Sequence, residues 1–145
     1  MKKYDIYTNG SYKHATNKGG WGFYVEQTGY SSKGAVKKPI SSTLMEYQAV
    51  LKALRYAKQH VQGKVTIHTN LQRIKTNVNT KTICKNSKMK LRYLDLTRSE
   101  ICTLMQQIKP LQFKKVKAHS GVPGNEMANK LAKEGMERSS IPKTI

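Results

Sequence analysis

Acidic residues are scarce in this chain: 8 Asp and Glu stand against 27 Lys and Arg in 145 residues, a formal net charge of +19. That excess goes beyond what solubility needs, and a polyanion is the expected partner. Long apolar runs are also missing. None approaches the ~20 residues of a transmembrane helix, and the cations run through the whole chain instead of down one amphipathic helix. A membrane partner is therefore set aside in favour of nucleic acid or an acidic protein. No apolar leader follows Met1-Lys2-Lys3, where a strand-like pattern containing Asp5 begins at once, so a cytoplasmic protein is expected. Cysteine is limited to Cys84 and Cys102. Without C-x-x-C spacing or clustered histidine, they are expected to be reduced structural thiols and not zinc ligands. There is no internal repeat and no low-complexity linker, which predicts one domain over residues 1–138, a short tail over 139–145, and a monomer.

What is present begins with Tyr4 to Ser11, which alternates as a strand does. Tyr4, Ile6 and Thr8 fall on one face, and Asp5, Tyr7 and Asn9 on the other. Asn9 is expected to close the strand, with Gly10 allowing the backbone to turn or a ligand to approach. The carboxyl end of a central strand is where open α/β sheets place their sites. A turn over Asn17 to Gly20, a strand over Trp21 to Val25 and another near Gly34 to Lys37 predict an antiparallel meander. Ser41, Ser42 and Thr43 are N-cap candidates for a helix from about Leu44 to His60. Glu46 falls on the apolar stripe of that helix with Ala49, Val50 and Ala53. A carboxylate there needs a partner, unless it serves only to complement the helix dipole.

Val65 to Asn70 repeats the design of the first strand. A right-handed crossover sets it parallel to the first, which would bring Asn9 and Asn70 side by side. The polar stretch from Lys75 to Arg92, with Lys85, Lys88 and Lys90 among its cations, suits phosphate contact. A helical stripe at Leu96, Ile101, Leu104, Met105 and Ile108 is stopped by Pro110. Leu111 to Ala118 reads as a last strand. It leads through a Gly/Pro loop carrying His119 into a helix from about Asn125 to Arg138, on which Asn129, Ala132 and Met136 share a face. A lone histidine in such a loop is ordinarily a solvent-exposed residue.

Several of these segments, in order and at matching intervals, resemble the ribonuclease H family of the type 1 kind. They are Tyr7-Thr8-Asn9-Gly10-Ser11, Gly20-Trp21-Gly22, Met45-Glu46 with Ala49-Val50, Ile67-His68-Thr69-Asn70, and Val116 to Gly121 followed by Asn125-Glu126 and Ala128-Asn129. The resemblance implies an α/β ribonuclease H-like fold, a five-stranded mixed sheet flanked by helices, and cleavage of the RNA strand of RNA:DNA hybrids. It also implies two divalent metals, Mg²⁺ or Mn²⁺, held by three Asp and one Glu. The matching positions here are Asn9, Glu46, Asn70 and Asn129, so each expected aspartate is an asparagine. His119 matches the family's loop histidine, a proton-transfer or product-release group. Gly10, Ser11, Tyr12, Ser42, Thr43, Gln72 and Asn125 fall at positions of hybrid contact. Lys85, Lys88 and Lys90 supply the charge of the family's basic protrusion without its tryptophan.

Amide oxygens bring no charge to offset the dehydration of a hard divalent cation. A metal pair is accordingly expected to be absent or weakly bound, and hydrolysis to be lost. Asn keeps the shape of Asp while deleting its charge. Three such replacements among intact neighbours read as the inactivation of a working enzyme. The alternatives are a natural pseudo-ribonuclease H or a basic nucleic-acid-binding module that acts by binding alone.

Overall fold

The alternating residues at the start of the chain form an antiparallel meander of β1 (Lys3–Lys13), β2 (Lys18–Val25) and β3 (Ser31–Val36). A computed structural model describes residues 2–36, 41–71, 92–117 and 121–138. β1 is longer than its alternation suggests. Its ladder with β2 continues from Asn9 opposite Gly22 to Lys13 opposite Lys18, so Asn9 lies within the strand and does not end it. β3 starts earlier than expected, because the ladder from Tyr24 opposite Ser31 to Gly19 opposite Val36 sets its register.

α1 (Ser42–His60) is capped by Ser41, whose Oγ accepts from the Leu44 amide at 3.2 Å. It returns the chain to β4 (Lys64–Thr69), which pairs in parallel with β1. α2 (Arg92–Gln107) then leads to β5 (Leu111–Lys115), parallel to β4. The last strand is shorter than its sequence suggests, although the Val116 amide still reaches the Thr69 carbonyl at 2.8 Å. α3 (Pro123–Arg138) begins two residues before Asn125, with proline at its first position, where no amide hydrogen is needed. The strand order is β3-β2-β1-β4-β5, an α/β mixed sheet of five strands with helices on both faces. The expected phosphate-contacting stretch up to residue 91 and the tail from residue 139 lie outside the described residues. Among the described residues, no helix is long and apolar enough to cross a membrane.

Period-two alternation sorts the strands' side chains between two cores. Ile6, Phe23, Val25, Val65 and Ile67 pack beneath α1 and α2, while Tyr7 and Val116 pack with Ala128 of α3 on the other face. α3 approaches β2 closely because β2 offers glycine there. A Cβ at Gly22 would lie 2.6 Å from the Ala132 amide nitrogen and 2.6 Å from the Leu131 Cβ. Gly22→Ala is expected to lower the unfolding free energy by about 2 kcal/mol, read by chemical denaturation. Unchanged stability would mean that the helix can stand off from the sheet.

Candidate functional site

The parallel register of β1 and β4 sets Tyr7 opposite His68. Two residues further along come Asn9, inside β1, and Asn70, just past the end of β4. Asn9 is only 5% exposed, and its partner across the β1/β2 ladder is Gly22. Gly22 in turn faces the Ala128 carbonyl of α3. Asn129 is the next residue of that helix and is partly buried.

Glu46 joins them from α1. The Gly10 amide donates to its Oε1 at 3.0 Å, and the Asn70 side chain hydrogen-bonds it as well. The carboxylate thus has specific partners in β1 and just past the end of β4 and is more than a complement to the helix dipole. Gly10 makes this possible by close approach: a Cβ there would collide with the Met45 carbonyl carbon and the Glu46 amide nitrogen. Its role in the fold is to admit the first turns of α1, not to turn the strand.

The flank of Glu46 is half-exposed, yet its Oε2 is enclosed. Burial raises the carboxyl from 4.5 to about 7, outweighing the bonds from Gly10 and Asn70 that favour the charged form. Glu46 Oε2, Asn70 Oδ1 and Asn125 Oδ1 are buried with no hydrogen-bond partner among the described residues. Of these three acceptors only Glu46 is ionisable. Among the described residues, no three His, Cys, Asp or Glu side chains gather closely enough to hold a metal ion. Two divalent cations need several anionic oxygens, and one carboxylate among neutral amides does not fit them.

The structure describes five of the other residues singled out from the sequence. Asn125 is buried near the start of α3 at 2% exposure, and Ser11 Oγ donates to Met136 Sδ of that helix at 3.5 Å. The Tyr12 ring packs beside Val36, Leu44 and Met45, and its hydroxyl donates to Asn17 Oδ1 at 3.3 Å. Ser42 and Thr43 are exposed on the first turn of α1. Gln72, Lys85, Lys88, Lys90 and His119 lie outside the described residues.

One polar constellation was not legible beforehand. His68 Nε2 meets Asp5 Oδ1 at 2.8 Å, and its ring stacks on Tyr7 at 4.2 Å. The Gln27 side chain clasps Asp5, donating from Nε2 to Oδ2 at 2.8 Å and accepting the Asp5 amide at 2.7 Å. The parity that puts Asp5 and Tyr7 on one face was visible in the sequence, but the β1/β4 register that brings His68 to them was not. These residues brace the sheet face next to Asn9 and Asn70.

The RNase H family model matches residues 1–137. The ribonuclease H of Orientia tsutsugamushi (strain Boryong) is 33% identical over 144 residues, covering 90% of this chain and 80% of that protein. That of Bordetella pertussis is 29% identical over 141 residues, covering 92% and 88%. Among solved structures, RNase H1 from the halophilic archaeon Halobacterium salinarum NRC-1 matches with a TM-score of 0.70 at 16% identity, over 94% of this chain and 99% of that one. LC11-RNase H1, solved in complex with RNA/DNA hybrid, matches with a TM-score of 0.68 at 19% identity, over 95% and 99%. The two structures share the fold. The family match runs through every element that builds the site, from β1 to α3, and on that ground the chain belongs to the RNase H family.

Proposed function

We propose that this chain binds RNA:DNA hybrids and leaves the RNA strand uncut. The observation that carries the reading is the setting of Glu46: its carboxylate takes the Gly10 amide, next to Asn9, and the Asn70 side chain, and among the described residues no three His, Cys, Asp or Glu side chains gather closely enough to hold a metal ion. A family relative of the same fold has been solved with RNA/DNA hybrid bound. In this chain Asn9, Asn70 and Asn129 are neutral stand-ins for carboxylates, Glu46 is the surviving acid, and His119 is an idle proton-transfer or release group. Ser42, Thr43 and Gln72 are assigned the contacts to the minor groove, and Lys85, Lys88 and Lys90 those to phosphate. A site with fewer negative charges repels the phosphate backbone less, and the net charge of +19 favours binding by counterion release.

Competition binding tests the reading. At physiological salt the chain is expected to prefer an RNA:DNA hybrid over double-stranded DNA of equal length by about 10-fold, through contacts to the ribose 2′-hydroxyls. Added salt should weaken both complexes. Equal affinity for the two duplexes would reject hybrid recognition and favour a general basic module.

A further inference from the structure

We propose that an aromatic strip on β2, the turn between β2 and β3, and α1, separate from the Glu46 site, binds single-stranded nucleic acid. The chain has one tryptophan and two phenylalanines. Trp21 and Phe23 stand stacked on the same face of β2, with ring centroids 6.1 Å apart and planes 12° from parallel. The half-buried Trp21 indole lies across Gly34 of the edge strand, which has no side chain to cover it, and Lys52 Nζ sits 5.6 Å from its ring centroid. Phe23 is a buried floor from which the rings continue to Tyr30 at 6.0 Å and Tyr56 at 5.6 Å. Tyr30 and Tyr56 stack at 4.2 Å with planes 12° apart, and His60 follows Tyr56 at 4.9 Å.

Lys52, Tyr56 and His60 recur at i, i+4 and i+8 on α1 and so share one face of it. The rings therefore form a line that starts at Trp21, the cross-strand partner of Gly10, and ends at His60 on the last turn of α1. From Trp21 to Val25 the strand alone spans about 13 Å. Rings gathered only to fill a core would be covered, yet Tyr30 is 43% exposed and His60 is exposed.

The chemistry of the strip selects its ligand. The exposed rings of Tyr30 and His60, in one line with the ammonium group over Trp21, suit a strand whose bases are free to stack while its phosphates meet cations. A duplex hides its base faces, so this surface is distinct in kind from one that grips a hybrid from outside. The surroundings favour an anion: Glu100, the acid that acts on Lys52, is held by Arg55, whose Nε donates to its Oε2 at 2.6 Å. The chain as a whole carries +19.

Trp21 reports on the test directly, because its emission comes from the strip. The full chain is titrated with oligo(dT) and, in a second arm, oligo(rU), and separately with a blunt RNA:DNA hybrid. Single strands are expected to quench Trp21, and a tighter complex in one arm assigns the strip to DNA or to RNA. Tyr30→Ala and His60→Ala should each weaken single-strand binding by roughly 5- to 150-fold, the range for losing one stacked base. Tyr30→Phe and His60→Phe should restore it to within about 2-fold, since they return the ring face. Binding of the blunt hybrid should not change in any of the four. Alanine variants that hold single strands as tightly as the parent overturn the proposal, and so does a loss that phenylalanine fails to rescue. Thermal unfolding of each variant shows whether the fold is retained, and one position lies in the turn before β3 and the other on α1, so a folding defect in one leaves the other decisive.

Discussion

Replacing Asn9, Asn70 and Asn129 with aspartate together is expected to turn this chain into a ribonuclease that cuts the RNA strand of a hybrid in magnesium, while the chain as it stands leaves the same strand intact. The argument is one of charge at constant shape. Each Asn→Asp change keeps the side chain's size and exchanges a neutral amide for an anion, so the four positions go from one formal negative charge to four. The backbone that places them is unaffected, because the β1/β4 register, the Gly10–Glu46 bond and the close approach of α3 to Gly22 involve none of the exchanged atoms. The gain in rate should be on the order of 10⁶-fold or more, the low end of enzymatic acceleration. A labelled hybrid incubated with each protein in magnesium, in manganese and in chelator reads it out. A revertant as inert as its parent would mean that the site has changed beyond these three positions. Cleavage by the unaltered chain would sink the charge argument outright.

The second large effect is a dependence of stability on pH that belongs to one residue. Glu46 titrates near about 7 in the fold and near 4.5 when the chain is unfolded, because burial opposes its charge. Between those values the folded protein holds a proton that the unfolded chain has released, so stability falls as pH rises. The favourable contribution is complete below 4.5 and has gone above about 7. At 1.36 kcal/mol per pH unit of difference in titration, the span corresponds to about 3 kcal/mol. Glu46→Gln removes the ionisation while keeping the shape. The variant is therefore expected to be more stable than the parent above pH 7, by up to about 3 kcal/mol, with the advantage fading towards pH 4.5. Urea unfolding of both proteins across that range isolates the term, since every other titrating group is common to the two. A parallel pair of stability curves would show that Glu46 is ionised without cost in the fold.

Local chemistry determined a good deal of this. Alternation in Tyr4 to Ser11 and in Val65 to Asn70 marked two strands, and Ser41 before an apolar stripe marked the start of α1, since period and capping depend only on near neighbours. The scarcity of acids, and the asparagines where carboxylates are expected, are properties of composition and needed no fold. Other features followed from which segments meet in space. The ladder to β2 carried β1 past Asn9, and the pairing with β2 drew β3 back to Ser31. Gly10 looked like a turn residue until the backbone of α1 was found against it. The environment of Glu46 was decided there as well: nothing in Leu44 to Gln48 shows that its carboxylate will meet the Gly10 amide and the Asn70 side chain away from water. The same holds for the line of rings from Trp21 to His60, drawn from β2, the turn after it and α1. Periodicity tells which side of its own element a residue faces. Register, close approach and burial depend on contacts between residues far apart in the chain, and for this protein only the packed sheet and helices supplied them.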